Sequence, residues 1–152
     1  MTKREINLII ITVLIMCIPL IIVTHQKINP PMLSAVYDWN DIKLTVTKTG
    51  EKRQFFQSPT VTLNELECHA TTLNPGEIAH QPHQHPEEEL TIIKEGTVEV
   101  LVNGEYKVVG PGSVVFQSSN QIHTLKNVGT TKAIYHAIKW KSTLTPATPK
   151  EK

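Results

Sequence analysis

Cysteine is scarce in this chain. Its 152 residues include two, Cys17 and Cys68. Cys17 lies inside a long apolar run, so no internal disulfide is expected, even in an oxidising compartment. Cys68 alternates with Leu66 and Ala70 and reads as an ordinary buried thiol. Surplus charge is missing too. Fifteen Lys and Arg against 14 Asp and Glu leave a formal net charge of +1. With no basic stripe, aromatic platform or glycine-rich phosphate loop, the chain lacks the footprint of a nucleic-acid binder. No nucleophile triad, P-loop or nucleotide fingerprint is present to support those enzyme classes. Amphipathic helical patterning between the apolar stretches is absent as well, which argues against bundles and alternating α/β folds.

One long hydrophobic run is present. Ile6 to Val23 is apolar apart from Asn7 and Thr12, and its 18 residues are just enough to cross a bilayer core. The run exceeds the apolar region of most signal peptides. Val23-Thr24-His25 makes a poor cleavage site, and Leu33-Ser34-Ala35 a weak one. Met16 before Cys17 is too bulky for a lipoprotein signal. The expectation is an N-terminal hydrophobic helix, residues 1–24, that anchors the protein in a membrane. Lys3 and Arg4 hold its start in the cytoplasm, so the domain behind it is extracytoplasmic. The alternative is an exported, periplasmic protein released by signal cleavage. Residues 25–35, with Asn29-Pro30-Pro31, form a linker. A domain over residues 36–141 follows, then a polar, proline-bearing tail over 142–152 that reads as disordered.

Within 36–141 the pattern is that of short strands. Asp41–Thr49 alternates imperfectly and ends at Gly50-Glu51. Arg53–Gln57 packs Phe55 or Phe56 on an outer face, and Val61–Leu73 is a second strand region. Asn103-Gly104 between Thr97–Val102 and Tyr106–Val109 is a strong hairpin signal, because both residues accept positive φ. Ser113–Gln117, His123–Val128 and Lys132–Trp140 complete the set. Short strands at close, even spacing imply an all-β barrel or sandwich.

The chemistry concentrates in Gly76–Gly96, GEIAHQPHQHPEEELTIIKEG. His83, His85 and Glu89 share odd parity, so one continuous strand would aim all three to one side. Two imidazoles and a carboxylate converging on a point suit a first-row divalent ion. His123, in a second glycine-led stretch, Gly112–Asn127, offers a fourth ligand. Of the neighbouring carboxylates, Glu88 points to the other face and Glu87 reads as a solvated loop edge. His80 is a rim donor, a second-layer base or simply exposed. His25, His69 and His136 read as structural, with His136 able to face the cavity, and Asn127 either orders His123 or caps a turn.

These two stretches resemble the paired motifs of the cupins. Gly76, His83, His85, Glu89 and Gly96 match the first, with one extra residue between Gly76 and His83. Gly112, His123 and Asn127 keep the spacing of the second, where Ser118 and Asn120 replace the usual Pro and Gly. The resemblance implies a double-stranded β-helix, the jelly-roll barrel of a single-domain cupin, with one metal inside held by His83, His85, Glu89 and His123. Fe, Mn, Ni, Cu and Zn are all chemically allowed. Four protein ligands on an ion that prefers six leave about two positions for water or substrate. The implied activity is that of a metalloenzyme of dioxygenase or oxidoreductase type acting on a small molecule. A non-catalytic module for a sugar or organic acid, a metal-dependent isomerase or hydrolase, and a vestigial envelope protein are the alternatives; a homodimer is left open.

Overall fold

A computed structural model of the chain describes residues 2–5 and 30–148. The chain divides into two units, Met1–Pro30 and Pro31–Lys152. In the first, residues 3–5 form one helical turn; the expected membrane helix over Ile6–Val23 lies outside the described residues. Among the described residues, no helix is long and apolar enough to cross a membrane.

The second unit is all-β. Its strands are β1 (Leu44–Val46), β2 (Gly50–Ser58), β3 (Glu65–Leu73), β4 (Glu88–Glu95), β5 (Val98–Val102), β6 (Glu105–Val109), β7 (Val114–Gln117), β8 (Thr124–Asn127) and β9 (Ala133–Lys141). They build a six-stranded sheet of order β1-β2-β3-β9-β4-β7 and a three-stranded sheet of order β6-β5-β8. Every pairing between them is antiparallel. β9 leaves the end of the chain and inserts between β3 and β4, the long-range pairing that closes a jelly roll.

Local sequence explains the turns. Asn103 and Gly104 have φ of 53° and 80°, as a two-residue hairpin between β5 and β6 requires. Gly50 departs from expectation: it opens β2 instead of ending β1. A Cβ there would stand 2.0 Å from the Thr72 carbonyl oxygen, so only glycine lets β2 start this close to β3. The expected strand from Asp41 to Thr49 shrinks to three exposed residues. Asp38 diverts the chain before it, accepting from the Asn40 and Asp41 amides, and Thr47 turns back on Gly50 after it.

The interior is graded along the strands. Leu73, Ile93, Val98, Val100, Val115, Leu125, Ala133, Tyr135 and Ala137 form one buried apolar cluster. Each large aliphatic member contributes roughly 1.5–3 kcal/mol of burial. Register then sorts the two ends. Leu73 faces Ala133 and Ile93 faces Tyr135 at the apolar end, whereas Glu67 and Glu89 both face Lys139 at the other. Buried Glu67, Thr91, Gln117, His123 and Thr124 make that second end polar, although polar burial is costly without partners. The barrel thus has a packed floor and a hydrophilic mouth.

His136 has the structural place expected of it, and its alternative, the cavity, is not taken. It lies on the outer face of β9, stacked on Phe55 at 5.6 Å between ring centroids and edge-on to Trp39 at 6.0 Å. Its neighbours Tyr135 and Ala137 take the inward positions.

Candidate metal centre

Three histidines converge at the polar end. One ligand atom each from His83, His85 and His123 lies within 4.8 Å of the others. A continuous strand does not bring them together. β4 begins only at Glu88; His83 sits in an isolated bridge to His123, and His85 in the loop between. The parity argument held for Glu89, which opens the inward face of β4, but the histidines are placed by turns. Pro82 and Pro86 flank them, and proline cannot donate to a ladder.

The second stretch clamps the first. The Asn120 amide donates to the His85 carbonyl at 2.8 Å, and Ser119 Oγ donates to the Pro86 carbonyl at 2.7 Å. Asn120 adopts φ 58°, a left-handed conformation that Asn tolerates better than most residues. It therefore does here what a glycine would do, and the altered turn still delivers His123.

Hydrogen bonds set the tautomers. A carbonyl can only accept, so His123 Nδ1, 2.8 Å from the Gln121 carbonyl, carries its proton. His85 Nδ1 likewise donates to the Glu87 carbonyl at 3.1 Å. When neutral, both rings then present a bare Nε2; a protonated His85 turns that nitrogen's proton to Glu89. His123 Nε2 and His83 Nδ1 are buried with no hydrogen-bond partner. Two orphaned ring nitrogens in one cavity are expensive for a folded protein, and a cation between them removes the cost. The donor set therefore fits a divalent ion. Glu89 lies outside the tight group but touches it: Oε2 is 3.4 Å from His85 Nε2, and Oε1 accepts from Thr91 Oγ1 at 3.0 Å.

The electrostatics favour the ligand forms. Burial, then the neighbouring His123 and His85, pushes the His83 pKa down, toward the neutral ring. Burial raises that of Glu89, but the His85 contact, His123 and Thr91 together outweigh it and bring the carboxyl to about 2. Burial also takes His80, packed edge-on to His83 at 4.2 Å, to about 4. His80 lines the same cavity as the cluster and stays neutral at physiological pH.

The profile of the Cupin_2 family, described as a cupin domain, matches residues 69–139. Residues 69–139 are a cupin domain. Solved structures share its fold. KdgF from a Halomonas species superposes with a TM-score of 0.61 at 14% identity, covering 73% of this chain and 97% of its own. The polyketide cyclase RemF of Streptomyces resistomycificus gives 0.58 at 16%, covering 80% and 89%. A cupin-superfamily sugar phosphate isomerase from Silicibacter pomeroyi gives 0.58 at 12%, covering 71% and 76%. At these identities the likeness speaks for the fold alone. No curated protein matches the sequence.

Other residues fall into place around the cupin site. Glu88 points outward and accepts from Trp140 Nε1 at 2.9 Å, as its parity required. Glu87 is no solvated edge: it pairs with Lys141 at 2.7 Å and stands 3.3 Å from His85 Nδ1. Asn127 is wholly buried, and its side-chain hydrogen bonds go elsewhere than His123. Its Nδ2 donates to the Leu73 and Thr131 carbonyls, and its Oδ1 caps the Gly129 amide. His69 was read as structural, yet it lines the cavity with Lys139, while Glu67 is buried beside them. A signal for that set was present: Glu67 and His69 alternate with Cys68 and Ala70, so the charged and ionisable side chains share one face of β3 there.

Proposed function

We propose that the barrel is a metalloprotein in which His83, His85, His123 and Glu89 hold one divalent ion, and that it is an enzyme acting on a small molecule drawn into the polar end. The observation that carries this reading is the pair of buried, unpartnered ring nitrogens, His83 Nδ1 and His123 Nε2, within a cluster of three histidines. When bound, such an ion supplies Lewis acidity and, if it is redox-active, electron transfer.

The chain's own groups do the rest. Gln121 and Glu87 fix the orientation of the His123 and His85 rings. Thr91 orients Glu89, and the packed floor from Leu73 to Val98 keeps water from the far side. Oxidoreductase chemistry of dioxygenase type is the first reading, on the resemblance to the cupins alone; three imidazoles and one carboxylate would leave open positions on an ion that prefers six. The test is to load the full chain separately with Fe(II), Mn(II), Ni(II), Cu(II) and Zn(II) and to measure oxygen uptake on small diketones, flavonols and organic acids. Uptake dependent on a redox-active ion supports an oxidoreductase. Tight ligand binding without turnover in every metal form replaces it with a binding module.

Placement is part of the same proposal. Ile6–Val23 anchors the protein, and Lys3 and Arg4 keep the N-terminus inside, so the barrel lies on the extracytoplasmic side. Carbonate extraction of membranes should leave the full chain in the pellet. A soluble product lacking its first ~25 residues would show a cleaved signal peptide.

A further inference from the structure

A second charged set faces the cavity beside the histidines. Glu67, 7% exposed, is its hub. Oε1 lies 2.9 Å from His69 Nδ1 and Oε2 lies 3.0 Å from Lys139 Nζ. His69 and Lys139 line the cavity that holds the histidine cluster, and both also line an adjoining recess that includes Thr47, Thr49 and Lys52. They stand where the two spaces meet.

Two details separate this set from an ordinary closed ion pair. A carboxylate only accepts, so His69 Nδ1 carries the proton bonded to Glu67, and Nε2 is left as an acceptor for the cavity's contents. Lys139 Nζ has three protons, and among the described residues Glu67 is the only carboxylate paired with it. The cavity also has a charge to balance. In the histidine cavity Glu67 and Glu89 face the Lys139 ammonium, while Lys52, 3.9 Å from Glu67, stays outside it on the solvent side of the recess. A divalent ion on neutral histidines then leaves a single positive charge over in the cavity. A monoanion satisfies that balance. An ammonium donor next to an imidazole acceptor matches a molecule with a carboxylate and a hydroxyl.

We infer that Lys139 binds the carboxylate and His69 Nε2 the hydroxyl of a small hydroxy acid in the cavity, with Glu67 fixing the His69 tautomer and competing for the Lys139 ammonium. The inference deepens the metalloprotein reading and rests on it for the charge balance.

Full-length protein loaded with zinc is titrated calorimetrically with lactate, lactamide and propanoate. Lactate is expected to bind at least about tenfold more tightly than either analogue, since each lacks one of the two groups. Lys139→Met is expected to lose about tenfold or more in lactate affinity, because the carboxylate then has no cation. Glu67→Gln, which keeps the shape and removes the competing charge, is expected to tighten lactate binding. Opposite signs from two changes at one contact cannot come from general damage to the fold. Zinc uptake measured first in each variant is expected to match the wild type, since neither residue belongs to the histidine cluster. If the wild type takes up no zinc, the metal reading fails and takes the charge balance of the inference with it. If zinc binds but lactate, lactamide and propanoate bind alike, or both variants shift lactate affinity in the same direction, the inference is overturned.

Discussion

His83 and His123 exchange two backbone hydrogen bonds, His83 N–H to the His123 carbonyl at 3.1 Å and the reverse at 2.9 Å. Residues paired in this way in an antiparallel bridge have Cα atoms about 5.5 Å apart and side chains on one face. The rings accordingly lie 4.5 Å apart between centroids. Two residues 40 positions apart in the sequence are thus brought together by the backbone before any ion is present. Such preorganisation spares an ion bound between the rings the ordering cost that a floppy loop would impose.

The choice of carboxylate is the first point to test. Glu89→Gln should weaken metal affinity, because the amide keeps the shape and the Thr91 contact but loses the charge. Glu88→Ala should leave affinity unchanged, since Glu88 bonds to Trp140 on the outer face. Metal titration of the two variants checks this, and the reverse pattern would mean that Glu88 is the ligand.

Asn120 carries a second prediction. Its φ of 58° costs an ordinary L-residue about 1–2 kcal/mol. Asn120→Ala should lower stability to urea by about 1 kcal/mol and loosen the metal, because the turn holding the His85 carbonyl relaxes. Asn120→Gly should match the wild type or exceed it. Equal stability of the two variants would remove the backbone argument.

Acid sensitivity of the metal-free protein follows from the buried imidazoles. Burial holds His80 at about 4 against an ordinary 6.5, and the His83 pKa is lowered too. Folding therefore favours the neutral rings. As pH falls below 6.5 the unfolded chain takes up protons first, so stability declines from there toward about 4;. Urea midpoints measured across that window should fall, and His80→Gln should flatten the fall. A midpoint independent of pH in both proteins would contradict the burial of these rings.

Much of the barrel was readable in advance. The β5–β6 hairpin followed from Asn103-Gly104, since that pair has few other uses between apolar runs. The histidine motifs and the inward parity of Glu89 were legible because they are local. What escaped depends on register between distant strands. Glu67 meets Lys139 only because β3 pairs with β9, a contact across some 70 residues that local patterning cannot reveal. His136 was read as structural with the cavity as its alternative, and the inward turn of Tyr135 and Ala137 decides for the outer face. The His83–His85 segment looked like strand because H-x-H alternates as strands do; its flanking prolines bend it into a loop held by Ser119 and Asn120.

Metal binding at equilibrium tests the central claim most directly. Purified full-length protein, stripped with chelator and titrated with Zn(II) or Mn(II) at neutral pH, should take up one ion per chain. His83→Ala and His123→Ala should each lose at least about a hundredfold in affinity, because removing a ligand costs more than disturbing its supporting contacts. Unchanged stoichiometry and affinity in both variants would contradict the account.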